Sequence, residues 1–122
     1  IQIRRITGSL RFHTGSHVVQ HDAVVRSLPH QLVDYEHGKP AITRYEVLQR
    51  TGTTTRIAFY PLTGRTHQLR VHAAHPDGLH CPIIGDDLYG TPSTRLFLHA
   101  EYIRFVHPIT EESVSFTVPA PF

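Results

Sequence analysis

The sequence has 122 residues, of which 39% are hydrophobic and 18% are charged, and this excludes a disordered polymer and favours one globular domain. The formal net charge is only +2, too small to indicate a nucleic-acid partner alone, although eleven histidines would add charge below about pH 6.5. One cysteine excludes an internal disulfide, and no run approaches the roughly 20 apolar residues that cross a bilayer. These features favour a cytoplasmic protein without membrane contact.

The first third of the chain carries weak signals. Residues 1–17 are loosely assigned: spaced isoleucines favour strand faces, and Gly8 and Gly15 are interpreted as turns. The following segments are short: strands or loop in 18–25, a strand in 31–35 and a turn in 37–40.

Two β-hairpins are predicted from clearer alternation of apolar and polar residues. The first joins residues 43–49 to 55–60 around Gly52. The second joins a strand in 95–106 to the alternating positions of 114–118.

A short helix is predicted between the hairpins. Thr66 is a suitable N-cap, and the helix is expected to run to about His75, where a Pro-Asp-Gly sequence ends it. Leu69 and Ala73 are four residues apart and should share its buried side. The whole chain, 1–122, is therefore predicted to be a single α+β domain, mainly antiparallel β sheet with one or two short helices.

The densest run of polar functional groups is the segment 64–72. Arg65 follows a glycine just before the helix, where its guanidinium could bind a carboxylate or phosphate, or simply fix the loop. The histidines do not have zinc-ligand spacing: His67 and His72 are five apart, and a lone cysteine adds no ligand set. No metal site is predicted.

Asp86 and Asp87 lie in a loop bounded by glycines. Adjacent carboxylates serve as acid–base groups or magnesium ligands, but an Asx-type turn is the preferred interpretation. No nucleophile elbow and no phosphate-binding glycine loop with lysine occurs in the sequence. The residues alone thus indicate a polar, mildly cationic cleft beside a β scaffold, and leave enzyme and binding module open.

Several ordered segments together resemble the RluA-type family of RNA pseudouridine synthases. The resemblance rests on segments 38–47, 64–72, 82–90, 96–100 and 116–122, including Gly-Arg-Thr-His-Gln-Leu-Arg-Val-His and Gly-Asp-Asp-Leu-Tyr-Gly. It runs from about residue 18 to the end and corresponds to the C-terminal portion of the catalytic domain.

The resemblance implies an enzyme that isomerises uridine in rRNA or tRNA without cofactor or metal. The C1′–N1 bond breaks, the base turns and is rejoined through C5, with an aspartate performing the chemistry. By similarity Arg65 is the catalytic arginine that pairs with that aspartate, and Leu98 lies on the apolar strand beside the target base. His67, Arg70 and His72 are expected to contact RNA, with packing against the sheet as the alternative for Arg70 and His72.

The family's His-Arg-Leu-Asp motif and its tyrosine motif are absent from these 122 residues. The sequence begins with isoleucine, so we expect a fragment that lacks the N-terminal half of the catalytic domain and is inactive alone. Two alternatives stay open: a non-catalytic RNA-binding module on the same scaffold, and a β-rich protein-interaction domain.

Overall fold

The computed structural model describes residues 3–10, 18–21, 24–26, 31–33, 36 and 38–122. Within them the chain forms strands and one helix, in this order: β1 (Ile3–Leu10), β2 (Val18–His21), β3 (Val24–Arg26), β4 (Gln31–Val33), β5 (Ala41–Thr51), β6 (Thr54–Pro61), α1 (Gln68–Ala74), β7 (Leu98–Val106) and β8 (Ser113–Thr117).

Six of these strands form one sheet in the order β2-β5-β6-β1-β7-β8. Every neighbouring pair in it is antiparallel, and β3 and β4 form a separate antiparallel pair. The predicted α+β class, mainly antiparallel sheet with a short helix, is confirmed.

Both predicted hairpins are present. β5 and β6 pair around Gly52, whose φ of 55° suits the tight turn, and Tyr45 lies opposite Phe59. β7 and β8 form the second hairpin, with Ile103 opposite Phe116. β7 begins at Leu98 and is therefore shorter than the predicted strand.

The sequence did not predict that β1 lies between the two hairpins. Gly8 is inside this strand, opposite Ile57 of β6 and Leu98 of β7, so its interpretation as a turn is wrong. A Cβ at Gly8 would lie 3.2 Å from the Phe59 ring, and the missing side chain lets that ring pack across the strand. Gly15 lies outside the described residues.

The helix begins one residue later than an N-cap at Thr66 would place its start, because His67 takes the N-cap position. His67 precedes the helix in a left-handed conformation with φ 55°, and no side chain caps the helix there. The amide of Gln68 donates to the carbonyl of Arg65 at 3.1 Å, and this tight turn delays the helical geometry. Leu69 and Ala73 are buried as predicted, and the helix ends at Ala74, with His75 as its C-cap.

The helix packs on the face of the sheet that carries the core. After the helix, Cys81 donates its amide to the carbonyl of Ala73, and Ile83 bridges to Leu10. This segment closes the core, whose buried members are Leu10, Tyr45, Ile57, Phe59, Leu69, Ala73, Cys81 and Ile83. No helix within the described part of the chain is long and apolar enough to cross a membrane.

The same face is less covered beyond β1, over β7 and β8. Phe116 and Val118 are each 60% exposed there, and they line a groove with Ile103. Arg4 and Ile6 of β1 form the near side of this groove. One half of the sheet face is thus buried under the helix, and the other half presents apolar side chains.

Candidate active site

The loop that carries Arg65 is tied to strand β5 by backbone and side-chain bonds. The amides of Leu62 and Thr63 donate to the carbonyl of Ile42 at 2.9 and 3.4 Å. The amide of Ile42 in turn donates to the Thr63 hydroxyl at 2.9 Å. The start of the loop is therefore held against the beginning of β5 and has little freedom to move away from it.

Gln68 fixes the rest of this loop. Its Oε1 accepts bonds from the Thr63 hydroxyl at 2.7 Å and from the Arg65 amide at 3.0 Å. Its Nε2 donates to the Ile42 carbonyl at 3.0 Å and to the Thr43 hydroxyl at 2.9 Å. Only 4% of Gln68 is exposed, so these bonds are shielded from competing water. One buried amide thus joins strand, loop and helix around the backbone of Arg65.

Arg65 itself is half-buried, and its Nε donates to the Pro40 carbonyl at 2.9 Å. This bond orients the guanidinium plane and leaves its terminal N–H groups for another acceptor. No carboxylate of the described residues forms an ion pair with Arg65. A partly buried arginine without an anionic partner is a strong candidate for binding a carboxylate or phosphate.

Arg70 is held differently, because its charge is compensated by Asp86. Its Nε donates to Asp86 Oδ2 at 3.0 Å, Nη2 contacts the other carboxylate oxygen, and Nη2 also reaches exposed Asp87 at 3.3 Å. Asp86 is fully buried and accepts the amides of Leu88 and Tyr89 at 3.0 and 3.1 Å. This is the Asx-type turn that the sequence predicted.

The pKa of Asp86 reflects opposing effects. Burial alone would raise it, but the bond from Arg70 and the two backbone amides stabilise the carboxylate, and the pKa lies below its ordinary value. The same bond raises the pKa of Arg70. Arg70 and Asp86 are therefore both charged, and together they brace the turn against the helix.

His67 is connected to this brace through Tyr89. Its Nδ1 is 2.9 Å from the Tyr89 hydroxyl, and the two rings meet edge to face. The Arg70 guanidinium lies over the Tyr89 ring, 5.4 Å from its centroid. His67 is half-buried, and these contacts direct it toward the same side of the helix as Arg65 and Arg70.

His72 occupies a different place from the other predicted site residues. It is 1% exposed, and its Nδ1 is 2.8 Å from the Thr43 hydroxyl of β5. The Thr43 hydroxyl also bonds Gln68, so His72 belongs to the network that joins the helix to the sheet. Its position supports the packing alternative, since a nucleic acid cannot reach a side chain buried to this extent.

The structure gathers four of the five predicted site residues around one pocket of about 210 Å³. Arg65, His67, Arg70 and Leu98 line it, together with Arg4, Ile6, Pro61, Thr63, Gly64, Gln68 and Leu69. Three arginines and a histidine thus face an apolar floor. Such a combination suits a ligand with one planar apolar part and one anionic part.

Two contributors were missed from the sequence. Arg4 lies on β1, whose centre position in the sheet could not be inferred, although its alternation with Ile6 placed both on one face. Gln68 carried a usable signal, because it lies four residues before His72 and both polar side chains fall on one side of the helix. No group of three or more His, Cys, Asp or Glu among the described residues could hold a metal ion.

Comparison with known proteins identifies the class to which this fold and pocket belong. The family described as RNA pseudouridylate synthase matches residues 16–75, which include the loop and helix of the pocket. The solved structure of the human protein named RNA Pseudouridylate Synthase Domain Containing 4 superposes on this chain with a TM-score of 0.72. The superposition covers 98% of this chain and 58% of the human chain. At 22% identity this likeness establishes the fold alone.

Curated sequences narrow the class further. The chain is 49% identical to the dual-specificity RNA pseudouridine synthase RluA of Pasteurella multocida, and 45% identical to that of Escherichia coli strain K12, each over 100 residues. It belongs to the RluA-type family of RNA pseudouridine synthases. In both comparisons 77% of this chain matches 44% of the relative, so the match spans under half the length of those proteins.

Proposed function

We propose that this chain forms the arginine-bearing part of the active site of an RNA pseudouridine synthase, an isomerase that converts uridine in rRNA or tRNA to pseudouridine. The observation that carries the proposal is Arg65: it is anchored by its backbone amide and its Nε, yet no carboxylate of the described residues pairs with it. The family's chemistry needs a carboxylate at this place.

Arg65 would hold that catalytic carboxylate by a charge-assisted fork. An adjacent guanidinium lowers the pKa of a carboxyl group and fixes its orientation, so the group stays ionised for attack. Since the loop of Arg65 is locked to β5 through Thr63 and Gln68, the fork is preorganised before RNA binds.

The apolar side of the pocket suits the target base. Ile6, Leu69 and Leu98 line it without polar groups of their own. A uridine in structured RNA must leave its stack to reach such a site, and an apolar surface compensates part of the lost stacking. Within this pocket the C1′–N1 bond would break and the base would turn to rejoin through C5.

The other predicted contacts divide into two groups. His67 is half-buried at the pocket and is proposed to contact RNA, while Arg70 is proposed mainly to brace the turn through Asp86. His72 is proposed to support the helix from inside. No cofactor or metal is proposed for the reaction.

The carboxylate is proposed to come from residues outside this sequence, in the N-terminal half of the catalytic domain. The exposed apolar groove of Ile103, Phe116 and Val118 supports this, because it adjoins the pocket through the shared Arg4 and Ile6. The relatives are also more than twice as long as the part that matches. We expect that half to pack on this groove, and the isolated chain to have no isomerase activity.

The test uses the complete gene product, with uridine isomerisation measured on bulk RNA. Arg65→Ala should lose most activity, because the catalytic carboxylate loses its partner, and Arg65→Lys should recover only part, since lysine lacks the fork. Arg50→Ala, an exposed arginine near the tip of the first hairpin, is the matched control and should keep full activity.

Two outcomes would contradict this proposal. Equal activity of wild type and Arg65→Ala would remove Arg65 from the chemistry. A complete product that binds RNA with no isomerisation would instead support the non-catalytic RNA-binding module.

A further inference from the structure

One of the three arginines in the pocket, Arg4, has no role in the function proposed above. Arg4 lies on β1, outside the segment 16–75 that matches the family. Its Nη2 is 3.4 Å from the Thr63 carbonyl, and Nη2 and Nη1 lie 3.5 and 3.8 Å from where a Cβ at Gly64 would be. The Arg4 guanidinium therefore rests on the loop backbone immediately before Arg65.

The charge balance of the pocket is incomplete at these two arginines. Arg70 is compensated by Asp86 and Asp87. Within the described ranges, no carboxylate pairs with Arg4 or Arg65. A single catalytic carboxylate on Arg65 would still leave one positive charge, and like charges held close together in a partly buried site favour a further anion.

We propose that Arg4 binds a backbone phosphate of the RNA, beside the nucleotide whose base enters the pocket. The inference rests on the proposed function, since it takes RNA as the ligand. A nucleotide that enters the pocket brings its own phosphate with it, and a guanidinium is the side chain best matched to that group. Arg4 is placed for this role because it lines the same pocket as Ile6 and Leu98, which are proposed to hold the base.

The long contact to Thr63 supports a ligand-binding role over a structural one. A hydrogen bond of 3.4 Å to a neutral carbonyl is weak, so it does not explain why a charged side chain is half-buried at the centre of the sheet. The remaining N–H groups of Arg4 are available to an incoming anion.

The test measures how the RNA affinity of the complete gene product, the protein used above for the isomerisation assay, depends on salt. A fluorescein-labelled single-stranded oligoribonucleotide containing uridine is titrated with wild type, Arg4→Gln and Arg4→Lys, and binding is followed by anisotropy. Arg104→Gln is the matched control, because Arg104 is an exposed arginine on the neighbouring strand β7 and points to the opposite face from Ile103.

Loss of one phosphate contact should make the slope of log affinity against log salt shallower by about 0.7. The ratio of the wild-type RNA affinity to the Arg4→Gln affinity should then decrease about 2.6-fold between roughly 50 and 200 mM salt. Arg4→Lys should keep the wild-type slope, because it keeps the charge, and Arg104→Gln should also keep it.

Two results would overturn the inference: a slope for Arg4→Gln equal to that of Arg104→Gln, or no binding of the oligoribonucleotide by the complete wild-type product at low salt. Circular dichroism melting checks the fold, and all titrations are run at a temperature where Arg4→Gln remains folded, so that its slope decides. The proposed function is tested separately by isomerisation with Arg65→Ala, so either claim can fail while the other stands.

Discussion

Replacing Gln68 by methionine tests how strongly one buried amide holds the Arg65 loop. Methionine keeps the length and approximate volume of the side chain but removes all four hydrogen bonds, to Ile42, Thr43, Thr63 and Arg65. The helix itself should tolerate the change, because glutamine and methionine have similar helix propensities.

The expected loss of stability in Gln68→Met depends on which partners of Gln68 lose their last hydrogen bond. Ile42 still accepts from the amide of Leu62, and Thr43 still contacts His72. The Arg65 amide and the Thr63 hydroxyl each lose their one described acceptor, although Thr63 Oγ1 still accepts from the Ile42 amide. Four bonds at about 1 kcal/mol each, less about 1 kcal/mol for burying a more apolar side chain, predict a loss of roughly 3 kcal/mol.

This loss is measurable by urea and thermal unfolding. At about 4 °C per kcal/mol for a chain of this size, the midpoint should fall by roughly 12 °C. Hydrogen exchange should also be faster at the Arg65 amide, because its acceptor is gone. Gln49→Met, an exposed glutamine of β5, is the matched control and should change stability by under about 0.5 kcal/mol.

The reasoning fails if Gln68→Met unfolds at the same midpoint as Gln49→Met and its Arg65 amide exchanges as slowly as in wild type. The loop would then be held by the contacts of Thr63 and Pro40 alone. A destabilised variant with unchanged Arg65 exchange would show that Gln68 stabilises the helix and sheet without positioning the arginine.

Three further changes address the turn and its neighbours. Asp86→Asn should cost about 3 to 5 kcal/mol, because it leaves Arg70 without its buried partner, whereas exposed Asp87→Asn should change little; urea unfolding compares them. Gly85→Ala should cost roughly 3 kcal/mol or more of stability, because Gly85 has a φ of 82° and an added Cβ would lie 1.7 Å from the Arg95 carbonyl oxygen. Gly52→Ala is the control: its Cβ would meet no atom within 4 Å, and it should lose only about 1 kcal/mol. Thermal melts compare the two variants. The free energy of unfolding should fall as the pH drops below about 4, and it should depend less on pH in Asp86→Asn than in the wild type.

The sign of the acid dependence follows from the direction of the pKa shift. The folded state holds the proton on Asp86 less tightly than the unfolded state does, because the bonds from Arg70, Tyr89 and Leu88 outweigh its burial. Its contribution is therefore present above the unfolded pKa and lost as the pH falls through the folded pKa. Glu101 acts in the same direction, since the bond from Thr7 lowers its pKa despite some burial. A flat acid limb in the wild type would contradict both assignments.

Local patterns in the sequence determined the elements whose signals lie within a few residues. Alternation of apolar and polar side chains located both hairpins, and four-residue spacing identified Leu69 and Ala73 as the buried side of the helix. Asp86, in a segment bounded by glycines, indicated an Asx turn, because the bonds of such a turn join residues at most three apart. The same local order placed Arg65 beside the helix.

Tertiary structure alone decided which residues share the pocket. β1 pairs with β6 and β7, about fifty and ninety residues away, and no local pattern encodes which strands meet across such distances. That pairing makes Gly8 an interior residue and brings Arg4 to the loop of Arg65. Likewise, His72 and Gln68 become structural only because Thr43 of β5 meets them in the core. The sequence supplied the chemical groups, and long-range strand pairing determined which of them face the same space.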